Sequence, residues 1–499
     1  MILHVNRKRR LGQRDPMIYG HFIEHFHRQI YGGIYDPGNP LSDEDGLRTD
    51  VLDAMRHIRV PVLRWPGGCF VSSYHWKDAV GEKRTPFFDK AWRVEDPNTF
   101  GTDEYVNMCR KLGCEPYICT NAGTGTAEEM SDWVEYCNLE NEGQYARWRI
   151  ANGYEKPHRV KYWSVGNENY GAWEIGAKSA QEWGRLVAEA SKMIKHVDPE
   201  TELTAAALTD LDWNINLLRM SGQFLDWISI HRYWDDVHEH NDLADYETVM
   251  AFTNHTGDSI RQVRGLLEAM GLEKKIKIAF DEWNLRGWCH PKAHTVSQGV
   301  TKEDYLYPRD LNDDNSKYTM ADAVFSACFL NECNRNCDIV GMANFAPIVN
   351  TRGCIYTYKE GIVLRSTYHV FDLYVNYLGD VILDAWSEGM KSMEARNSAS
   401  GQTETTELID VLATEFSDRE GAALAIVNKH PGEAQEVTLD LEAEGEAVLY
   451  YIAGSSTESY NDVDREEVRI QREDLGVYTP GMKVSVKPHS VGVIQIGVK

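Results

Sequence analysis

The chain has 499 residues, 42% hydrophobic and 26% charged, with 77 acidic against 52 basic residues and a formal net charge of −25. That length exceeds one ordinary domain and suits a large α/β barrel with a smaller module beside it. The acidic balance argues against nucleic acid or an anionic membrane as partner and fits a neutral substrate, although solubility alone accounts for such a surplus equally well.

The N-terminus reads Met1-Ile-Leu-His-Val5 and then Asn6-Arg-Lys-Arg-Arg10. The apolar stretch is too short for a signal segment and precedes its charges instead of following them. No run reaches the roughly 18 apolar residues of a membrane helix. A cytoplasmic address with reduced thiols is therefore the expectation. The ten cysteines include no CxxC pair, and several sit in apolar runs where a free thiol acts as a small hydrophobe.

Eight short apolar runs follow in order: 17–24, 59–65, 115–120, 159–165, 202–207, 224–231, 274–281 and 338–345. Continuous rather than alternating apolar character is the mark of strands buried on both faces. Helical patterns separate most of them. Residues 102–112 open with Thr102 as a cap and two acids and stop at Gly113, and 177–196 and 258–270 have the same periodicity. Eight alternating βα units predict a (β/α)₈ TIM barrel over 17–375.

From 376 to 499 the pattern changes to short alternating strands at 422–427, 436–441, 447–452, 483–486 and 491–496, an all-β sandwich, jelly-roll-like, which residues 1–16 are expected to join. The long polar segment 285–318 follows the seventh barrel strand and is expected over the active face.

Function in such a barrel collects at the C-terminal strand ends. Those ends read Glu24-His25, Arg64-Trp-Pro-Gly-Gly-Cys69, Asn121, Gly166-Asn-Glu-Asn169, His231-Arg-Tyr233, Asp281-Glu-Trp-Asn284 and Asn344. A lone glutamate at a strand end is more often an ion-pair partner or a cap. Two of them, Glu168 and Glu282, each beside amides and aromatics, match the carboxyl pair that glycosidic cleavage needs. Trp163, Tyr170, Trp173, Trp283 and Trp288 are candidates for stacking on sugar faces. His21, His25 and His27 lie too close together to point one way, so packing or a sugar contact is expected of them and no metal. Asp281 is expected to point away from Glu282, as neighbours on a strand do.

The stretches Gly20-His-Phe-Ile-Glu-His25, Ile30-Tyr-Gly-Gly33, Arg64-Trp-Pro-Gly-Gly-Cys-Phe70, Gly166-Asn-Glu168 and Phe280-Asp-Glu-Trp-Asn284, in that order, resemble the α-L-arabinofuranosidases of glycoside hydrolase family 51. Trp133-Val-Glu-Tyr-Cys-Asn138 and Trp173-Glu-Ile-Gly176 add to the likeness. The resemblance implies a retaining, exo-acting α-L-arabinofuranosidase that removes arabinose from arabino-oligosaccharides, arabinan or arabinoxylan fragments. It makes Glu168 the acid/base and Glu282 the nucleophile, and places Glu24, Arg64, Cys69, Asn167 and Tyr233 around the sugar or the nucleophile, with Trp288 and Asn344 as further contacts. It implies no cofactor, and a homo-oligomer, often a hexamer. The strand-8 segment Gly341-Met-Ala-Asn-Phe-Ala-Pro347 lacks the family's usual glutamine, and Leu285-Arg286-Gly287 stands where an aromatic is expected.

Physical chemistry agrees with these roles. Asn167 can bond the sugar 2-hydroxyl, Arg64 and Tyr233 can hold Glu282 as a carboxylate, and an uncharged Glu168 is the expected companion of a charged Glu282. Rival readings are a β-xylosidase or endoglucanase on the same scaffold, a non-catalytic carbohydrate-binding protein, which would need neither glutamate, and a metal-dependent hydrolase.

Overall fold

A computed structural model of the chain describes all residues except 238–242, 289–300, 305–314, 316, 399 and 499, and the side chains of 236, 237 and 288. Eight strands pair in parallel around a closed barrel. In chain order they are Gly20–Phe22, Val62–Trp65, Glu115–Thr120, Tyr162–Val165, Glu202–Ala207, Trp227–Val237, Lys277–Trp288 and Val340–Phe345, called barrel strands 1 to 8 below. Each overlaps one of the eight apolar runs, although strands 6 and 7 continue past theirs, to Val237 and Trp288. Val62–Trp65 and Tyr162–Val165 are buried at every position, as strands covered on both faces must be.

The helices between them start and stop for local reasons. Thr102–Leu112 ends at Gly113 in the left-handed conformation (φ 74°). Its cap, however, is Gly101, whose N–H donates to Glu104 at 2.8 Å. Thr102 lies inside the first turn, and its hydroxyl accepts from the Trp133 indole at 3.0 Å. Ala180–Val197 begins three residues later than its apolar pattern, because Ser179 and Glu182 cap each other.

The C-terminal region forms one nine-stranded sheet instead of two separate ones. Ile2–Gln13 lies inside it, antiparallel to Val381–Glu388 and parallel to Gln435–Leu441. The sheet folds over on itself. Asn428 stands five strands from Met482–Val486, roughly 24 Å along a flat sheet, yet its amide donates to Val486 O at 3.0 Å. The fold encloses Leu3, Leu383, Leu424, Leu439, Leu449 and Ile494 in an apolar core, which gives the expected sandwich.

Strand Ala422–Asn428 is buried at all positions. Leu424 and Ile426 face the sandwich core, while Ala423, Ala425 and Val427 belong to the barrel's core. Helices Met320–Arg335 and Ser366–Tyr377 pack on that second face, and Arg335 reaches across to Asp410 at 3.0 Å. Small residues on this side let the helices approach closely. Ala425→Leu should therefore overpack the joint and lower stability by roughly 1–3 kcal/mol, read as a shift in the urea-unfolding midpoint, with an unchanged midpoint counting against the packing account.

Candidate active site

The site is built on a bulge. Between Ala279 and Glu282, barrel strand 7 carries one residue more than strand 6 opposite, and it does so again against strand 8 between Phe280 and Trp283. The extra residue breaks the alternation of side chains. Asp281 therefore does not point away from the barrel as expected. Both Asp281 and Glu282 face inward, and Asp281 is fully buried, accepting from Tyr117 OH at 2.7 Å and Ser229 Oγ at 2.5 Å.

Arg64, fully buried at the end of strand 2, lies between these two carboxylates. Its Nη1 donates to Glu282 Oε2 at 2.8 Å, its Nη2 to Asn167 Oδ1 at 2.8 Å, and its Nε is 3.5 Å from Asp281. Tyr233 OH donates to the other Glu282 oxygen at 2.5 Å. Glu168 accepts from Trp173 Nε1 at 2.8 Å, from Tyr170 OH at 3.2 Å and from His231 Nδ1 at 2.9 Å. Oxygens of Glu168 and Glu282 and a ring nitrogen of His231 all lie within 4.8 Å of one another.

His231, at the end of strand 6, touches three acids: Glu168 at 2.9 Å, Asp281 at 3.3 Å and Glu282 at 3.4 Å. Burial opposes its charge, but Glu282, Asp281 and Glu168 outweigh burial and carry its pKa up to about 10. Burial pushes the Glu168 carboxyl up, and the bonds from His231, Trp173 and Tyr170 more than reverse that, holding it below its ordinary value. The proton expected on Glu168 therefore sits on His231 in this unliganded arrangement, because a cation beside two carboxylates is favoured over a neutral acid there.

Glu24 forms the opposite wall. Its Oε1 accepts from Phe70 N at 3.1 Å and from the Trp92 indole at 2.9 Å. Gly67 closes over it with φ 142°, and a Cβ there would stand 2.2 Å from Glu24 Cγ, so only glycine fits. Burial and the Glu282 charge raise the Glu24 pKa to about 8. Cys69 is a free, half-buried thiol, and burial among Glu174, Glu168 and Glu24 keeps it protonated.

The structure thus gathers Glu24, Arg64, Cys69, Asn167, Glu168, Tyr233 and Glu282. Asn344 is not among them. It pairs with Gly20, at the start of strand 1 and four residues before Glu24, and its amide lies against the open face of Gly20. Trp163 and Trp283 are fully buried, Trp283 stacked on Phe329 at 3.8 Å, so neither meets a sugar; Tyr170 and Trp173 stand at the mouth. His21 packs on Phe345 and Phe371, and His25 is fixed by Asp96 and the Trp65 indole. The Trp288 side chain and most of 285–318 lie outside the described residues.

Sequence reasoning passed over His231 as a proton holder, Trp92, and Glu174. Glu174 is buried, accepts from Ser72 Oγ at 2.5 Å and from Asn167 Nδ2 at 3.3 Å, and burial lifts its pKa to about 7. Trp92 comes from a hairpin with no strand-end position to mark it.

With Glu24 protonated below about pH 8, it can donate to a ligand. Above that pH it ionises near Glu282 and loses the donor. Activity should fall as pH rises through about 8, and Glu24→Gln, which keeps both an acceptor and a donor, should push that limb upward. A limb unmoved in the variant's pH–rate profile would contradict this assignment.

Residues 54–251 match the model of the α-L-arabinofuranosidase 1 domain, and 281–490 that of the α-L-arabinofuranosidase C-terminal domain. An intracellular exo-α-(1→5)-L-arabinofuranosidase of Halalkalibacterium halodurans is 33% identical over 465 residues, covering 90% of this chain and 89% of its own. Among solved structures, the arabinose complex of the Thermotoga maritima α-L-arabinofuranosidase superposes with a TM-score of 0.86 at 33% identity, covering 99% of both chains. The family 51 α-L-arabinofuranosidase of Thermotoga petrophila gives 0.85 at 33% identity, again over 99% of both. The chain belongs to the α-L-arabinofuranosidases of glycoside hydrolase family 51.

Proposed function

We propose that this chain is a retaining, exo-acting α-L-arabinofuranosidase in which Glu282 is the nucleophile and Glu168 the acid/base. The observation that carries this reading is the approach of the two carboxyls, with oxygens within 4.8 Å across the barrel mouth. Retaining glycosidases hold their carboxyls roughly 5–5.5 Å apart, whereas inverting ones leave room for a water at about 6.5–9.5 Å.

The roles follow from the partners. Glu282 has each oxygen held by one donor, from Arg64 and Tyr233, and is aimed as a carboxylate at the anomeric carbon. Its attack forms the glycosyl–enzyme bond as the glycosidic C–O bond breaks. Glu168 first takes a proton from His231 Nδ1 across the 2.9 Å contact and passes it to the leaving oxygen, which leaves Glu168 a carboxylate and His231 neutral. In the second step Glu168 takes a proton from water, the hydroxide oxygen bonds the anomeric carbon, and Glu282 leaves as carboxylate. Asn167, fixed by Arg64 and Glu174, keeps an amide for the 2-hydroxyl, and Glu24 and Cys69 line the ring.

The exo mode and arabinose specificity rest on family membership and on the name of the H. halodurans relative, which also supports a cytoplasmic address. Among the described residues no helix is long and apolar enough to cross a membrane. A homo-oligomer is inferred from the resemblance and is read directly by light scattering.

On a panel of 4-nitrophenyl glycosides, α-L-arabinofuranoside should be clearly preferred over β-D-xylopyranoside, with arabinose released. A better rate on the xylopyranoside or on a β-glucan would overturn the specificity. Glu282→Ala should be nearly inactive on every substrate, while Glu168→Ala should keep more activity on aryl glycosides, whose leaving groups need little protonation, and be partly rescued by azide. Equal losses without rescue would sink the two roles.

A further inference from the structure

Arg352 stands apart from the other buried arginines. Arg64 and Arg286 are bound to carboxylates, and Arg149 and Arg365 to several backbone carbonyls. Arg352 is only 8% exposed, yet its Nε and Nη1 have no hydrogen-bond partner among the described residues. Its guanidinium lies 5.9 Å from the ring of Phe26, which packs 4.0 Å from Trp92, the indole that donates to Glu24, and its carbonyl is held by Asn284, two residues after Glu282. It therefore projects into the pocket that the paired carboxyls line.

The backbone holding it there is strained and tightly fixed. Asn350 and Thr351 have φ of 54° and 31°, in the left-handed region that residues other than glycine seldom enter. Asn350 Nδ2 donates to Arg28 O at 2.6 Å and to Thr357 Oγ1 at 2.9 Å, and its Oδ1 accepts from Thr357 N at 2.8 Å. Tyr318 OH donates to Thr351 O, Arg365 to Gly353 O at 2.6 Å, and Asn284 to Arg352 O at 3.0 Å. Strain that the surroundings over-determine in this way collects at ligand clamps.

A buried cation without acceptors is costly unless a ligand completes it. The nearby Glu282 carboxylate disfavours an anionic ligand, which leaves neutral sugar oxygens as the acceptors. We propose that Arg352 is a specificity-determining residue of the sugar pocket, donating to a hydroxyl or ring oxygen of the bound furanose. It does so from the loop after strand 8, across the barrel from Asn167 after strand 4. This rests on the arabinofuranosidase reading above.

The test uses 4-nitrophenyl α-L-arabinofuranoside and its 2-, 3- and 5-deoxy analogues with wild type, Arg352→Met and Arg352→Lys. On the parent sugar, Arg352→Met should lose at least about tenfold in kcat/KM. Arg352→Lys, which keeps the charge without the fork, should fall between them. The melting temperature of unliganded Arg352→Met should be unchanged or higher, since a buried charge goes whose Nε and Nη1 have no partner among the described residues. On one deoxy sugar, wild type and Arg352→Met should agree within twofold, which identifies the oxygen. A loss under twofold on the parent, an equal loss on all three deoxy sugars, or a lowered melting temperature that accounts for the activity lost would each overturn the proposal. If wild type did not cleave the arabinofuranoside at all, the functional reading would fail first and visibly.

Discussion

Five buried charges in contact set the terms for the rest of this molecule. Arg64 and His231 are the cations, and Asp281, Glu282 and Glu168 the anions. None could be buried alone, since an unpaired ion in such an interior is heavily penalised, and removing one partner strands the others. Asp281 is the keystone. Arg64 and His231 outweigh its burial and hold its pKa at about 2, so it remains an anion and keeps both cations charged. Its place exists only because strand 7 bulges there. The bulge that turns Asp281 inward also sets the height at which Glu282 meets Arg64 and Tyr233.

Around this cluster the protein separates its acids by environment. Burial leaves Glu24 mostly neutral and Glu174 about half protonated near pH 7, with pKa values raised to about 8 and 7. Asp281 and Glu168 are drawn down by cations and donors. Carboxyls whose environments push them apart can take different tasks in one pocket, some as neutral donors and others as anions. His231, in contact with Glu168, Asp281 and Glu282, is drawn the other way, its pKa raised to about 10 by those carboxylates. Such an arrangement tolerates little movement. The sandwich, clamped on two barrel helices through Ala423, Ala425 and Val427 and through the Arg335–Asp410 pair, gives the strand-7 to strand-1 side of the barrel a solid backing.

Much of this was legible in the chain itself. Strands buried on both faces must be apolar throughout, so the eight runs announced the barrel, and Gly113 marked a helix end by its own chemistry. Glu168 and Glu282 stood out because each occupies a strand end beside amides and aromatics. Pattern could not reach what depends on depth or on register. Asn344 looked like a site residue by its strand but lies a level too low, and Trp163 and Trp283 looked like sugar platforms but fill the core.

The sequence by itself determined the fold class, the carboxyl pair and most of the residues around it, because those follow from local periodicity and from the types of side chain at strand ends. Only the tertiary structure decided that Asp281 faces inward beside Glu282, that the proton rests on His231, and that Glu24 is neutral. Each of these depends on a strand pairing with one residue too many, or on charges brought together from residues tens to hundreds of positions apart, and neither a bulge nor a local dielectric is written in a linear pattern.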